Sequence, residues 1–333
     1  MNLSTLSEKF NTTDKCIKHL EDVRWGRGKR AVCPVCEGQK VYRRKRKPYW
    51  HCNICNKDFT VLFGTIFEAS KLRLPKWFQI IAVMLNAKKG VSAAQLSRLV
   101  GVTYKTAWFT AMRVRCAMAD EIDLLEGIVE MDEAYIGGKP RYRNKKGSIS
   151  STSLSTVFTK AKRGRGTSKI PIVGIVQRRG PAVVKIMDGL TTKNMLAMLK
   201  KHVKMDKAEL MTDEFRSYTR MDRYMTHSVI KHVEKEYVRG RVHTNTIEGL
   251  WSIIKNGIKG QYHALSRKYL PFYLTEFTYK YNKRYYLPKS NNDFKDVIKS
   301  SVNDRKCVIY YKPNKVAKRI TGRQTTRKKN SKK

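Results

Sequence analysis

The spacing of apolar residues changes character along the chain. From Phe63 to about Ile122 they recur at helical intervals, as Phe67, Leu74, Trp77, Ile81 and Leu85, then Leu96, Leu99, Ala107 and Met112. This pattern predicts three or four helices, each burying one face. After Glu126 the apolar runs shorten to GIVEMDEAYIGG, KIPIVGIVQRR and AVVKIMDG, each bounded by Gly, Pro or charge, and they read as strands. A helical stretch, TTKNMLAMLKKHV, and a further strand, AELMTD, come next. Helical spacing returns from Asn245 through WSIIKNGI and YLPFYLTEFTYKYNKRYY. Strands followed by a helix and another strand predict a mixed α/β layer.

Two stretches lack this patterning. Residues near 139–168 are basic and rich in Ser, Thr and Gly, which predicts an insert in loop form. From Lys312 to Lys333 there are ten Lys or Arg and no acid, the composition of a basic arm. The expected organisation is an N-terminal segment (1–29), a cysteine module (30–62), a helical domain (63–125), an α/β domain (126–290) and a basic tail (291–333).

Charge narrows the function. With 333 residues, 70 Lys and Arg against 27 Asp and Glu give a formal +43. A field of that size favours a polyanion as partner. The longest apolar stretches, such as WFQIIAVML, fall short of the roughly 20 residues that cross a bilayer. The N-terminus has no apolar signal core. Nucleic acid is therefore the expected partner, in the cytoplasm and nucleoid of a prokaryote or the nucleus of a eukaryote.

Four of the seven cysteines form Cys33-x2-Cys36-x15-Cys52-x2-Cys55. Two CxxC turns at this spacing suit a structural four-thiolate zinc site. The neighbouring KVYRRKRKPYWH is basic and aromatic, which suits contact with DNA. Further on, VSAAQLSRLVGVTYKTAWFTAMRVRCA reads as a helix, a turn at Gly101 and Val102, and a second helix carrying Tyr104, Lys105, Arg113 and Arg115. A helix-turn-helix would place that second helix in a major groove, with Lys105 and Arg113 as DNA contacts; a plain helical hairpin has the same pattern.

Three acids sit where separate elements end or begin. Asp132 lies late in the first β run, Asp213 ends AELMTD, and Glu248 falls in the first turn of the helix that starts at Asn245. Two-metal phosphodiester chemistry needs carboxylates from separate elements that hold ions about 3.5–4 Å apart. Hard oxygen ligands suit Mg²⁺ or Mn²⁺. Each acid also has a structural explanation: Asp213 as a helix cap, and Glu248 with Asn245 as a capping box. Glu130 and Glu133 compete with Asp132. Lys255 follows Glu248 by two helical turns, about 10.5 Å along one face, and Lys259 continues the basic supply. Trp251, Tyr262 and His263 are candidate stacking partners, with Trp251 equally suited to the core.

These residues resemble the ISXO2-like transposases of the IS1595 group, which are similar to Merlin transposases. The resemblance is carried by the cysteine module, MDEAYIGGK at Met131 to Lys139, the MTD ending at Asp213, and HTNTIEGLWSIIKNGIKGQYHALSRKYLPFYLTEFTYKYNKR at His243 to Arg284. It implies an RNase H-like mixed sheet flanked by helices, preceded by a zinc ribbon and a small helix-turn-helix-like domain. It also implies Asp132, Asp213 and Glu248 as a metal-binding catalytic triad, Lys255 as basic partner, and Asn245 as the second candidate at the third position. Cut-and-paste transposition then follows, with terminal inverted repeats and target DNA as partners and a dimer or larger assembly on DNA. The rival readings are a non-catalytic DNA-binding regulator and an RNase H-like nuclease or resolvase.

Overall fold

The computed structural model describes residues 3–28, 30–44, 49–119, 122–137, 169–230, 234, 238–285 and 293–303. The expected basic insert near 139–168 and the arm from Lys312 lie outside the described residues, as does Cys307.

Two helices, α1 (Leu3–Lys9) and α2 (Thr13–Trp25), precede a three-stranded antiparallel ribbon of β1 (Val41–Arg43), β2 (Trp50–Cys52) and β3 (Lys57–Phe59). Helices α3 (Leu74–Asn86), α4 (Ala93–Val100) and α5 (Tyr104–Ala117) follow. Ser92 and Thr103 cap α4 and α5 with their hydroxyls, and Gly101 adopts φ 64 to end α4. The left-handed conformation there is the reason the turn carries glycine.

The sheet is built from β4 (Leu125–Ile136), β5 (Ile170–Gln177), β6 (Ala182–Ile186), β7 (Val203–Asp213) and β8 (Thr226–Ile230), with α6 (Thr192–His202) between β6 and β7. Its order is β6-β5-β4-β7-β8. The first three strands pair antiparallel, while β4–β7 and β7–β8 pair parallel. Counted within the sheet, this is order 3-2-1-4-5 with the second strand reversed, the RNase H-like arrangement expected from the sequence. Helices α7 (Asn245–Gly257), α8 (Leu270–Tyr285) and α9 (Asp293–Asn303) complete the described chain.

Alternation along β4 decides what faces what. Val129 and Met131 join a cluster with Met195, Leu199 and Leu210 on the α6 side. Ala134 and Ile136 join Ile247, Leu250, Trp251 and Ile254 of α7 on the other. That second core is continuous with the helical region, through Phe78, Ile81, Val114, Leu274 and Phe277. Residues 293–303, expected as the start of a basic tail, instead form an amphipathic helix. Phe294, Val297, Ile298 and Val302 of α9 are buried in the same core.

Candidate active site

The parallel pairing of β4 with β7 sets Glu130 beside Met211. Two residues further on, the same register brings Asp132 beside Asp213, where β7 stops. Oxygen atoms of Asp132, Glu133 and Asp213 all lie within 4.8 Å of one another. Each carboxylate is held. Asp132 Oδ1 accepts from the Glu133 N–H at 2.7 Å, and its Oδ2 accepts from Trp251 Nε1 at 2.9 Å. Asp213 Oδ1 accepts from the Phe215 N–H at 3.1 Å, and Glu133 Oε2 accepts from the buried Tyr218 hydroxyl at 3.1 Å. Burial pushes Asp132 up to about 7, and the negative charges of Glu133 and Asp213 add to the rise. Clustered acid oxygens that resist ionisation together are a donor set suited to a divalent cation, whose charge relieves the repulsion.

Helix α7 is fixed over this site at two points. Glu130, on the same face of β4 as Asp132, is fully buried. Its Oε2 accepts from the N–H groups of Thr246 and Ile247 at 2.8 and 2.9 Å, and its Oε1 from the Thr246 hydroxyl at 2.8 Å. Arg178 pairs with the same carboxylate at 2.6 Å and donates to the carbonyls of Arg241 and His243. One turn beyond Ile247, the Trp251 indole supplies the second point. Gly174 on β5 leaves room for it, since a Cβ there would stand 2.7 Å from the ring.

Glu248 is outside the carboxylate cluster. It is exposed in the first turn of α7, and its Oε1 accepts from the Thr244 hydroxyl at 3.3 Å. Helical spacing sets it on the flank of α7 next to Trp251, with Lys255 on that same flank and exposed. Asn245 opens the helix and is exposed, as is Lys259 in the π-helical turn Ile258–Tyr262. Lys105 is exposed at the start of α5. Arg113, expected to contact DNA, does not face solvent. It is 4% exposed, donates to the Glu68 carbonyl at 2.6 Å and lies over the Trp77 ring. From Thr110 onward every residue of α5 is buried, so only its first turns present a surface. Arg115 is likewise enclosed, paired with Glu276 at 2.7 Å.

The second candidate centre is the ribbon. Sulfurs of Cys33, Cys36, Cys52 and Cys55 lie within 4.8 Å of one another, with Cys33–Cys55 at 3.7 Å and Cys36–Cys52 at 3.5 Å. Thiolates about 2.3 Å from a tetrahedral zinc stand roughly 3.8 Å apart, so the spacing fits the metal. The Cys55 N–H, foremost among several groups, holds the Cys52 thiol down to about 6 against its burial. His51 is engaged elsewhere, with Asp58 at 2.7 Å.

Comparison with known proteins accords with both centres. The profile of the ISXO2-like transposase domain matches residues 124–282, and that of the transposase zinc-ribbon domain matches residues 11–58. An uncharacterized protein in transposable element ISH50 of Halobacterium salinarum is 30% identical over 267 residues, covering 78% of this chain and 87% of the relative. The chain belongs to the IS1595 family of ISXO2-like transposases. The transposase is therefore of DDE type and carries a zinc ribbon. Among solved structures, the Mos1 strand transfer complex shares 13% identity, covering 70% of this chain and 77% of that one, at a TM-score of 0.26. The Mos1 paired-end complex with left transposon end shares 13%, covering 70% and 78%, at 0.28. Scores this low decide nothing, and the fold of the transposase rests on its strand order. Among the described residues, no helix is long and apolar enough to cross a membrane.

Sequence reasoning singles out Glu130, Glu133 and Trp251 but misses the part each plays in the site. Glu133 enters the carboxylate cluster although alternation turns it away from Asp132. Glu130 anchors a helix that begins 115 residues later, and Trp251 binds Asp132 directly. The one signal available was the i, i+2 spacing of Glu130 and Asp132, which puts both on one face of β4.

Proposed function

We propose that this transposase hydrolyses phosphodiester bonds at the ends of its element and joins the freed 3′-hydroxyls to target DNA. The observation that supports this most is the convergence of Asp132, Glu133 and Asp213 beside the N-terminal half of α7. A bound Mg²⁺ or Mn²⁺ would act there as a Lewis acid that activates the attacking oxygen and stabilises the leaving one. Asp132 and Asp213 would hold it. Trp251 and the Glu133 N–H fix the Asp132 carboxylate in one orientation, so the ligand is pre-set rather than ordered on binding. In the first step water adds to phosphorus and the 3′-oxygen leaves as a hydroxyl. In the second, that hydroxyl attacks a target phosphate and displaces a new 3′-hydroxyl.

The third acid is Glu248 in this reading, brought in from its exposed rotamer beside Trp251, with Lys255 holding phosphate on the same flank. Glu133 is the alternative third ligand, because it already stands within the cluster, and Asn245 is the other candidate on α7. Double-stranded DNA is the partner, and pairing of two ends calls for a dimer or larger assembly on DNA. The domain roles follow: the ribbon, the exposed start of α5 with Lys105, and Lys259 hold the ends while the sheet carries the chemistry.

The test incubates the purified chain with Mg²⁺ and duplexes bearing the repeats that flank its own gene, and follows end cleavage and joining. Asp132→Ala and Asp213→Ala are expected to abolish both steps. Glu248→Ala, Glu133→Ala and Asn245→Ala, run side by side, identify the third ligand. Retained activity in both aspartate variants would overturn the reading.

A further inference from the structure

The solvent face of α7 forms the floor of a basic groove that end cleavage does not account for. Two adjoining cavities of about 390 and 880 Å³ share Ile253 and Tyr281. Asn245, Gly249, Ser252 and Asn256 line the floor, spaced about one turn apart and all exposed. At one end stand His243 and Arg179, the latter exposed in the β5–β6 turn at φ 56. Lys88 and Lys89 after α3, with Lys283 and Arg284 at the end of α8, surround the other. Among the described residues no carboxylate lines either cavity. Lys280, Lys283 and Arg178 in this lining are paired with Glu276, Asp296 and Glu130, while Lys88, Lys89 and Arg179 are exposed, so the positive charge the groove offers an anion comes foremost from these three.

Gly249 is an independent sign of a ligand. A glycine inside a helix weakens it relative to alanine, and it is retained where a turn, close packing or a close approach requires it. Here nothing lies within 4 Å of where its Cβ would be, and its φ is not in the left-handed range. Neither packing nor backbone conformation explains the missing side chain. An open strip over a helix floor is what a nucleic-acid backbone needs to come close.

We propose that this groove holds the sugar-phosphate backbone of duplex DNA independently of sequence, as a target-type contact distinct from recognition of the ends. From Asn245 to Asn256 the floor runs about 16 Å, enough for on the order of four phosphates of one strand. Cations and small residues reach phosphates, which position DNA but carry no sequence. Thr246 and Ile253 extend the lining on the flank of α7 away from Trp251, so the groove is separate from the carboxylate cluster. The proposal rests on the reading of the chain as a DNA-acting transposase.

The full-length protein is titrated with an unrelated duplex and with an end-bearing duplex at several salt concentrations. The triple variant Lys88→Ala, Lys89→Ala, Arg179→Ala is expected to lose about tenfold or more in affinity for unrelated DNA and to lower the salt slope by about two to three, one per lost phosphate contact. The control Lys193→Ala, Lys207→Ala, exposed outside the groove, is expected to leave the slope near that of the parent. Gly249→Glu should weaken unrelated DNA as well while its melting temperature is unchanged or higher, which separates blocked binding from misfolding. Equal slopes in the triple variant and the parent, an equal loss in the control, or a loss confined to the end-bearing duplex would each overturn the proposal. Wild-type end cleavage in the same Mg²⁺ buffer reports on the catalytic reading separately, because it does not enter the comparison of slopes.

Discussion

The carboxylate of Glu130 accepts the backbone N–H of Ile247 at 2.9 Å, tying the middle of the central strand to the first turn of α7. The first N–H groups of a helix have no partner inside it and carry the positive end of its dipole. A buried anion at that point satisfies them and fixes where the helix begins. Arg178 balances the charge from the other side at 2.6 Å. The geometry of everything α7 carries, Trp251 on Asp132 included, therefore depends on a residue outside the carboxylate cluster.

Glu130→Ala should cost about 3–5 kcal/mol of stability, since it leaves Arg178 and two buried N–H groups without their acceptor. Glu130→Gln keeps one acceptor oxygen and should lose less, while still slowing catalysis by loosening α7. Urea unfolding of both variants checks this; a loss under about 1 kcal/mol in the alanine variant would show that α7 docks by its apolar face alone.

A second buried pair sets an acid limit. Glu276 on α8 is almost fully enclosed. Its burial favours the neutral form, but Arg115 at 2.7 Å and Lys280 outweigh that and hold its pKa below the ordinary carboxylate range. The unfolded chain then takes up this proton at higher pH than the folded one. The stability the pair supplies is complete above the ordinary carboxylate pKa and is lost as pH falls through the lower folded value. Glu276→Gln should be less stable by about 3 kcal/mol at pH 7 and should show a shallower acid limb. Denaturation midpoints across pH 2 to 7, roughly the range over which carboxylates titrate, measure both effects.

In the ribbon, the metal substitutes for a core that three short strands cannot build. Among the described residues its own buried cluster is Cys33, Cys52 and Phe59, with Trp25 and Trp50 packed edge to face at 5.6 Å beside them. Removing zinc with a strong chelator should change the tryptophan fluorescence and open the ribbon to protease, with the sheet left folded. Cys36→Ser should release the metal in the same way; bound zinc unchanged in that variant would refute a four-thiolate site.

What the chain disclosed in advance follows from how local each feature is. The zinc ribbon was legible because ligand spacing is a sequence property. Four of the five strands of the sheet were legible as short apolar runs bounded by Gly, Pro or charge, whereas the edge strand β8, THSVI, carries too few apolar residues to stand out. Arg113 was misread because a cation on a helix looks the same whether it faces a groove or a carbonyl. Its contact, the Glu68 backbone, lies 45 residues away. Glu133 was weighed only as a substitute for Asp132, since strict alternation turns neighbours to opposite faces. It nonetheless lies within the cluster, where the buried Tyr218 hydroxyl holds its carboxylate at 3.1 Å. The helical character of residues 293–303 was hidden by the basic composition that follows them.

The charge of Asp132 is held at the expense of stability. Burial, Glu133 and Asp213 raise it to about 7, whereas in the unfolded chain it titrates near 3.8. Between those values the folded protein holds a proton that the unfolded chain has released, so stability without metal falls as pH rises and levels off above about 7. Asp132→Asn removes that loss and keeps an oxygen for Trp251 or the Glu133 N–H. At pH 8 in a chelator, the variant should be more stable than the parent by about 1–2 kcal/mol while showing no DNA cleavage. Adding Mg²⁺ or Mn²⁺ should raise the melting temperature of the parent and leave that of the variant unchanged, because a ligand stabilises only the state that binds it. Equal metal-induced shifts in the two proteins would mean that the cation sits away from Asp132, and the assignment of the cluster would have to be abandoned.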